Sequence, residues 1–158
     1  MGRKFRTVAV GGTFDEFHKG HGILLKRAFE IGEEVLVGLC SDKFVEKMKK
    51  PHPTASYEKR LEELQSFMQE RSFLERARIV QLHDAYGVTL SRGCVEAIVV
   101  SEETEAAAIE INEKRKELGL PPLHVEVLNM VASEDRVPIS TTRIYKGEID
   151  REGHLIKR

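Results

Sequence analysis

The chain has 158 residues, 32% of them Asp, Glu, Lys or Arg, and a formal net charge of -1. That length suggests one domain over 1–158 with a polar tail from about residue 151, able to bury roughly 68–70% of its unfolded surface without staples. The balanced charge removes the electrostatic case for nucleic acid or a membrane surface as partner. Two isolated cysteines, Cys40 and Cys94, make neither a disulfide framework nor a metal motif and read as buried thiols. The first residues lack the apolar core of a secretory signal, and no apolar run approaches the ~20 residues of a membrane span, so the expected location is cytoplasmic. Dense charge of both signs with few amides is the bias of heat-adapted proteins.

Short apolar runs alternate with helical patterns. Phe5 to Val10 predicts a first strand. A helix follows from about His21 to Ile31, stopping at Gly32. Glu34 to Cys40 is apolar almost throughout, as a strand buried on both faces should be. Ser41 offers an N-cap for a short helix over Lys43–Met48. A basic, proline-bearing loop, Lys47 to Pro53, separates it from a helix opened by Ser56 and running to about Glu70, with Leu61, Leu64, Phe67 and Met68 on one stripe. Ala77–Leu82 is the third strand, Val95–Val100 the fourth and Leu123–Leu128 the fifth, with a turn at Asp84–Gly87 and a helix over Ser101–Leu118 between them. A last helix is expected over Ile139–Ile149, and the tail after it should fray.

Five strands separated by helices predict an α/β fold: a Rossmann-like, doubly wound, five-stranded parallel sheet with right-handed crossovers. Ligands of such sheets bind at the carboxyl ends of the strands, where strand order reverses. The segment Gly11-Gly12-Thr13-Phe14-Asp15-Glu16-Phe17-His18-Lys19-Gly20-His21 follows strand one. The basic loop lies beyond strand two, Ser101-Glu102-Glu103-Thr104 follows strand four, and Ile139-Ser140-Thr141-Thr142-Arg143 lies beyond strand five. All four segments therefore fall on one edge of the sheet.

Their chemistry is that of anion binding. Strand, glycine-rich turn and helix place backbone N–H groups and a helix N-terminus against a phosphate. His18 and His21, three apart around Gly20, both sit at the helix start. No lysine is followed by Ser or Thr, which excludes a Walker A loop, and Gly11-Gly12 does not extend to the dinucleotide pattern. Two other readings stay open at this point. The histidines are a capping pair without chemistry, or they and Asp15 form a zinc site. Asp15 also suits a brace for the turn through backbone N–H groups, and Phe14 and Phe17 suit the core. Ser140, Thr141 and Thr142 followed by Arg143 form a second cradle of hydroxyls, N–H groups and helix dipole. Lys43, Lys47, Lys49 and Lys50 are cationic candidates, and Arg60 is read as structural, pairing with Glu58 or another carboxylate.

Gly-Thr-Phe-Asp followed by His-Lys-Gly-His, together with Ile-Ser-Thr-Thr-Arg, resembles the nucleotidyltransferase superfamily. The stretches Ser101-Glu102-Glu103-Thr104, Gly119-Leu120-Pro121-Pro122 and Gly147-Glu148-Ile149-Asp150 narrow the resemblance, which runs from about Phe5 to Gly153, to the archaeal-type phosphopantetheine adenylyltransferases. The implied reaction takes ATP and 4′-phosphopantetheine to dephospho-coenzyme A and pyrophosphate, with Mg²⁺ bridging the phosphates and no dedicated protein site for the metal. The resemblance implies catalytic roles for His21, His18 and Lys49. It also implies nucleotide contacts from Gly12, Thr13, Phe14, His18, His21, Ser101, Glu102, Thr104, Ser140, Thr141, Thr142 and Arg143, and contacts to the attacking phosphate from Thr13 and Lys49. Bacterial relatives carry an arginine near the position of Ser101; here Arg136 or Arg143 would supply that charge. Cytidylyltransferases of glycerol phosphate, FAD synthetases, NMN adenylyltransferases and a non-catalytic nucleotide sensor are the competing implications.

Overall fold

The computed structural model describes residues 4–48, 53–84, 86–90, 95–102, 104–129, 144–145 and 148–155. Five strands, β1 (Phe5–Gly12), β2 (Gly32–Cys40), β3 (Ala77–Leu82), β4 (Ala97–Ser101) and β5 (His124–Leu128), form one sheet in the order β3-β2-β1-β4-β5. Every pairing is parallel. Order reverses between β1 and β4, so the carboxyl ends of these two strands flank the crevice in which such sheets bind ligands.

Alternation along β1 splits the core in two. Val8 and Val10 face a cluster with Val35, Val37 and Leu39 of β2, covered by Leu25 and Phe29 of helix α1 (Lys19–Ile31) and by Leu64 and Met68 of α3 (Tyr57–Glu70). Ala9, Ile98 and Val100 face the other way, onto Ala108 and Ile111 of α4 (Glu105–Glu117). Both faces of the sheet are therefore covered, which is why β2 is apolar along most of its length.

Local chemistry sets the boundaries. Ser41 caps α2 (Asp42–Lys47) by accepting the Phe44 N–H at 3.1 Å, and Ser56 caps α3 by accepting that of Lys59 at 3.3 Å. α4 ends in a Schellman motif: Leu120 N–H donates to Arg115 and Gly119 N–H to Lys116, with Gly119 at φ +74°.

Two boundary expectations are corrected. α1 begins at Lys19, not His21, because His18 acts as its N-cap. At the other end, Ile144 and Tyr145 are helical, but Ile149 forms an antiparallel bridge with Leu155, so the last helix stops short of Ile149. The tail does not fray there. Ile149 is fully buried, and Asp150 Oδ1 closes a turn by accepting the N–H groups of Glu152 and His154 at 2.9 and 2.8 Å. No helix among the described residues is long and apolar enough to cross a membrane.

Candidate active site

The turn from β1 to α1 has a strained backbone. Phe14 and Glu16 both take left-handed angles, φ +51° and +46°, which cost non-glycine residues about 1–3 kcal/mol each and persist only where the surroundings over-determine them. Phe14 is held by burial: its ring is 1% exposed in the core, edge-on to His21 at 5.2 Å. Asp15 is equally buried, and its Oδ1 accepts the Ala55 N–H at 3.2 Å, which ties the turn to the residue before the α3 cap. Burial, with a hydrogen bond from the Tyr145 hydroxyl to Asp15 and the charges of Asp15 and Glu16, pushes that hydroxyl up to about 12.

His18 and His21 cap the helix reciprocally. His18 Nδ1 accepts the Gly20 N–H at 3.0 Å, and His21 Nδ1 accepts the His18 N–H at 3.2 Å. This is a capping box built from imidazoles. It decides the tautomer: a ring whose Nδ1 accepts an N–H carries its proton on Nε2. Both rings are donors through Nε2, stacked 3.7 Å apart and 19° from parallel. Burial, assisted by the nearby Arg151 charge, lowers the His18 pKa to about 4, so His18 is neutral around pH 7.

This geometry changes how the turn presents donors. Three of the four amides that a helix start leaves unpaired are already used: His18 N–H by His21, Lys19 N–H by the Arg151 carbonyl at 3.0 Å, and Gly20 N–H by His18. The expected backbone cradle is thus largely occupied, and the two imidazoles stand at the positive end of the helix.

Two predictions arise here. A Cβ on Gly20 would sit 2.8 Å from His18 Cε1 and 3.0 Å from Nδ1. Gly20→Ala should lower turnover about tenfold by displacing the ring, while thermal stability holds or rises, since Ala is the better helix former by about 1 kcal/mol. Kinetics and melting of one preparation check both. The second concerns acid. Between about pH 6.5 and 4 the unfolded chain binds a proton that folded His18 refuses, so stability is present above that window and falls as pH drops through it. Urea midpoints should decline from pH 6.5 to 4, and less steeply in His18→Asn, which keeps a capping oxygen but does not titrate.

Arg60 ties the rim together. It is 1% exposed; its Nε donates to Ala55 O at 2.9 Å, Nη1 to Thr13 O at 3.0 Å and Cys40 O at 2.8 Å, and Nη2 to Asp42 Oδ1 at 2.9 Å. Its structural role is as expected, with Asp42 rather than Glu58 as the carboxylate. It joins the carboxyl ends of β1 and β2, the start of α2 and the residue before the α3 cap.

The crevice's other wall ends β4. Ser101 N–H donates to Thr104 Oγ1 at 3.1 Å, so the Thr104 hydroxyl folds back on the loop and does not cap α4; Glu102 is exposed. Gly12, Thr13, His18, His21, Ser101, Glu102 and Thr104 thus all lie at the carboxyl ends of the adjacent strands β1 and β4 or in the turns that follow them. Lys43 and Lys47 are exposed on α2. Lys49, Lys50, Arg136, Ser140, Thr141, Thr142 and Arg143 lie outside the described residues.

Sequence reasoning missed Arg151, Glu16, Glu63 and Tyr145. The tail's Asp150–Gly153 stretch carried a turn signal, but the partners of Arg151 lie 135 and 88 residues away and leave no local trace. Among the described residues no group of three His, Cys, Asp or Glu side chains could hold a metal. Asp15, His18 and His21 therefore do not form the zinc site left open by their spacing.

A cytidylyltransferase-like family model matches residues 9–147. The phosphopantetheine adenylyltransferase of Methanothermobacter thermautotrophicus is 44% identical over 158 residues, covering 100% of this chain and 94% of that one. The enzyme of the same name from Pyrococcus furiosus is 42% identical over 158 residues, covering 100% of this chain and 98% of its own. Among solved structures, a protein of unknown function from Archaeoglobus fulgidus superposes with a TM-score of 0.71 at 29% identity, covering 85% of this chain and 99% of that one.

Proposed function

The chain belongs to the cytidylyltransferase-like family and, within it, to the archaeal phosphopantetheine adenylyltransferases, and from that premise we infer that it transfers AMP from ATP to 4′-phosphopantetheine. The products are dephospho-coenzyme A and pyrophosphate. The observation that carries the reading is the stacked imidazole pair at the carboxyl end of β1, each ring pinned by its Nδ1 and presenting Nε2–H.

The reaction needs no protein nucleophile. A phosphate oxygen of 4′-phosphopantetheine attacks the α-phosphorus of ATP, the bond to the α–β bridging oxygen breaks, and pyrophosphate leaves. Charge builds on the α-phosphoryl oxygens and on that bridging oxygen, so the enzyme's task is to position two anions and stabilise this charge. His21 Nε2–H donates to the α-phosphate, and His18, neutral beside it, supports that ring or donates to the β-phosphate. Thr13 meets the attacking phosphate. Lys49 neutralises charge across the α- and β-phosphates, and Ser140, Thr141, Thr142 and Arg143 hold the pyrophosphate end. Gly12, Ser101, Glu102 and Thr104 line the nucleotide from the two strand ends, and the Phe14 backbone closes the turn beneath it. Mg²⁺, when bound, neutralises charge between phosphates. The reading makes the protein a cytoplasmic enzyme whose partners are its small-molecule substrates and products.

The test is product formation. Purified protein with ATP, Mg²⁺ and 4′-phosphopantetheine should release pyrophosphate and form dephospho-coenzyme A. Turnover with CTP and glycerol phosphate, FMN or NMN in place of these substrates would reassign the substrate, and binding of ATP without turnover would make the protein a sensor.

A further inference from the structure

The C-terminal turn touches the histidine turn from outside. Buried Ile149 and the Asp150 carboxylate hold the turn in shape, and Arg151 then reaches inward twice. Its carbonyl accepts the Lys19 N–H at 3.0 Å. Its guanidinium grips Glu16 Oε2 through Nε at 3.0 Å and Nη2 at 2.7 Å, and Nη2 also reaches Glu63 Oε1 of α3 at 3.3 Å. The other Glu63 oxygen accepts the Phe17 N–H at 3.4 Å.

Residues 16, 17 and 19 are thereby fixed from one point, and they bracket His18. Glu16 is one of the two left-handed residues of the turn. Such a residue needs outside restraint, and the guanidinium supplies it. The Arg151 side chain is 43% exposed, so its ion pairs contribute little to global stability. What they set is geometry. Without the guanidinium, two carboxylates from different elements are left facing one another.

We propose that Arg151 is a positioning residue for adenylyl transfer, clamping Glu16 and Glu63 so that His18 and His21 hold their capping box and present both Nε2–H groups at fixed spacing. This rests on the function proposed above. It also gives the C-terminal turn a role in the reaction although Arg151 touches no substrate. The charge that helps keep His18 neutral comes from the same side chain.

Arg151→Ala should lower kcat about tenfold or more, because a misplacement of about 1 Å at donors of this kind costs up to 10². The KM for ATP should stay within about threefold and the melting temperature near that of the wild type. Arg151→Lys, which keeps the charge but not the fork, should recover part of the loss. A readout without substrate separates this from a general loss of activity. At fixed neutral pH, ¹⁵N imidazole spectra of the wild type should show both rings with a lone-pair Nδ1 and a protonated Nε2, and R151A should show tautomer exchange. Imidazole spectra of R151A matching the wild type overturn the proposal, whatever its kcat. If R151A does not accumulate, R151K takes its place: partial exchange supports the clamp, and wild-type spectra with wild-type kcat overturn it. A wild-type protein inactive with ATP and 4′-phosphopantetheine would sink the assigned function and leave the spectral test standing.

Discussion

His21→Ala is expected to lower kcat by about 10²–10³, the usual cost of losing one preorganised donor to transition-state charge, with ATP affinity nearly unchanged. The ring is held on three sides: Nδ1 accepts the His18 N–H, His18 stacks on one face, and Phe14 and Phe17 approach at 5.2 and 5.3 Å. A donor fixed in this way is the kind whose loss falls on the transition state, which is why the expected effect is on kcat. Most of ATP's binding energy comes from other groups, so the loss falls on kcat. The variant also unpairs the His18 N–H, and a change in melting temperature would report that cost separately. His21→Asn or Gln, which can still donate, should fall between. Steady-state kinetics with pyrophosphate release decide it; a near-normal kcat for His21→Ala would remove the imidazole from the chemistry.

Arg60→Ala should be strongly destabilising, by about 3 kcal/mol or more. The magnitude comes from what is left behind. Removing the guanidinium strips a donor from one buried backbone carbonyl, Cys40, and two part-buried ones, Thr13 and Ala55, and the loss of a partner costs about 1–3 kcal/mol for a buried polar group and less for a part-buried one. The Asp42 pair matters less. Its carboxylate is 60% exposed, so Asp42→Asn should cost under about 1 kcal/mol. Arg60→Lys should resemble Ala more than wild type, because one ammonium cannot serve acceptors on four segments. Thermal melting would show a fall of about 10 °C for the Ala variant in a chain of this size. Equal losses for Asp42→Asn and Arg60→Ala would mean that the ion pair, and not the carbonyl bonds, holds the rim.

Both effects come from one arrangement. The β1 turn stores strain at Phe14 and Glu16, and that strain is held by three buried or clamped contacts: the Phe14 ring in the core, Asp15 with Ala55 and Tyr145, and Arg151 across Glu16 and Glu63. Arg60 adds the Thr13 carbonyl from below. The histidines are positioned by this frame, which is drawn from segments far apart in the chain.

What could be read from the chain alone was whatever is local. Apolar runs bounded by glycine and by capping serines placed the five strands and the helices α1 to α4 within a few residues, because hydrogen bonding and burial periodicity act over one or two turns. The His-x-Gly-His spacing likewise marked a helix start, since a helix start and its caps are contiguous. Only the tertiary structure decided the rest. The His18–His21 caps span only two and three residues, but that the Lys19 amide is already used and that Arg60 and Arg151 hold the turn depend on contacts between residues up to 135 apart. A polar tail reads as loose because composition registers solvation and not partners. A single buried isoleucine and one carboxylate turn were enough to bring it back against the site.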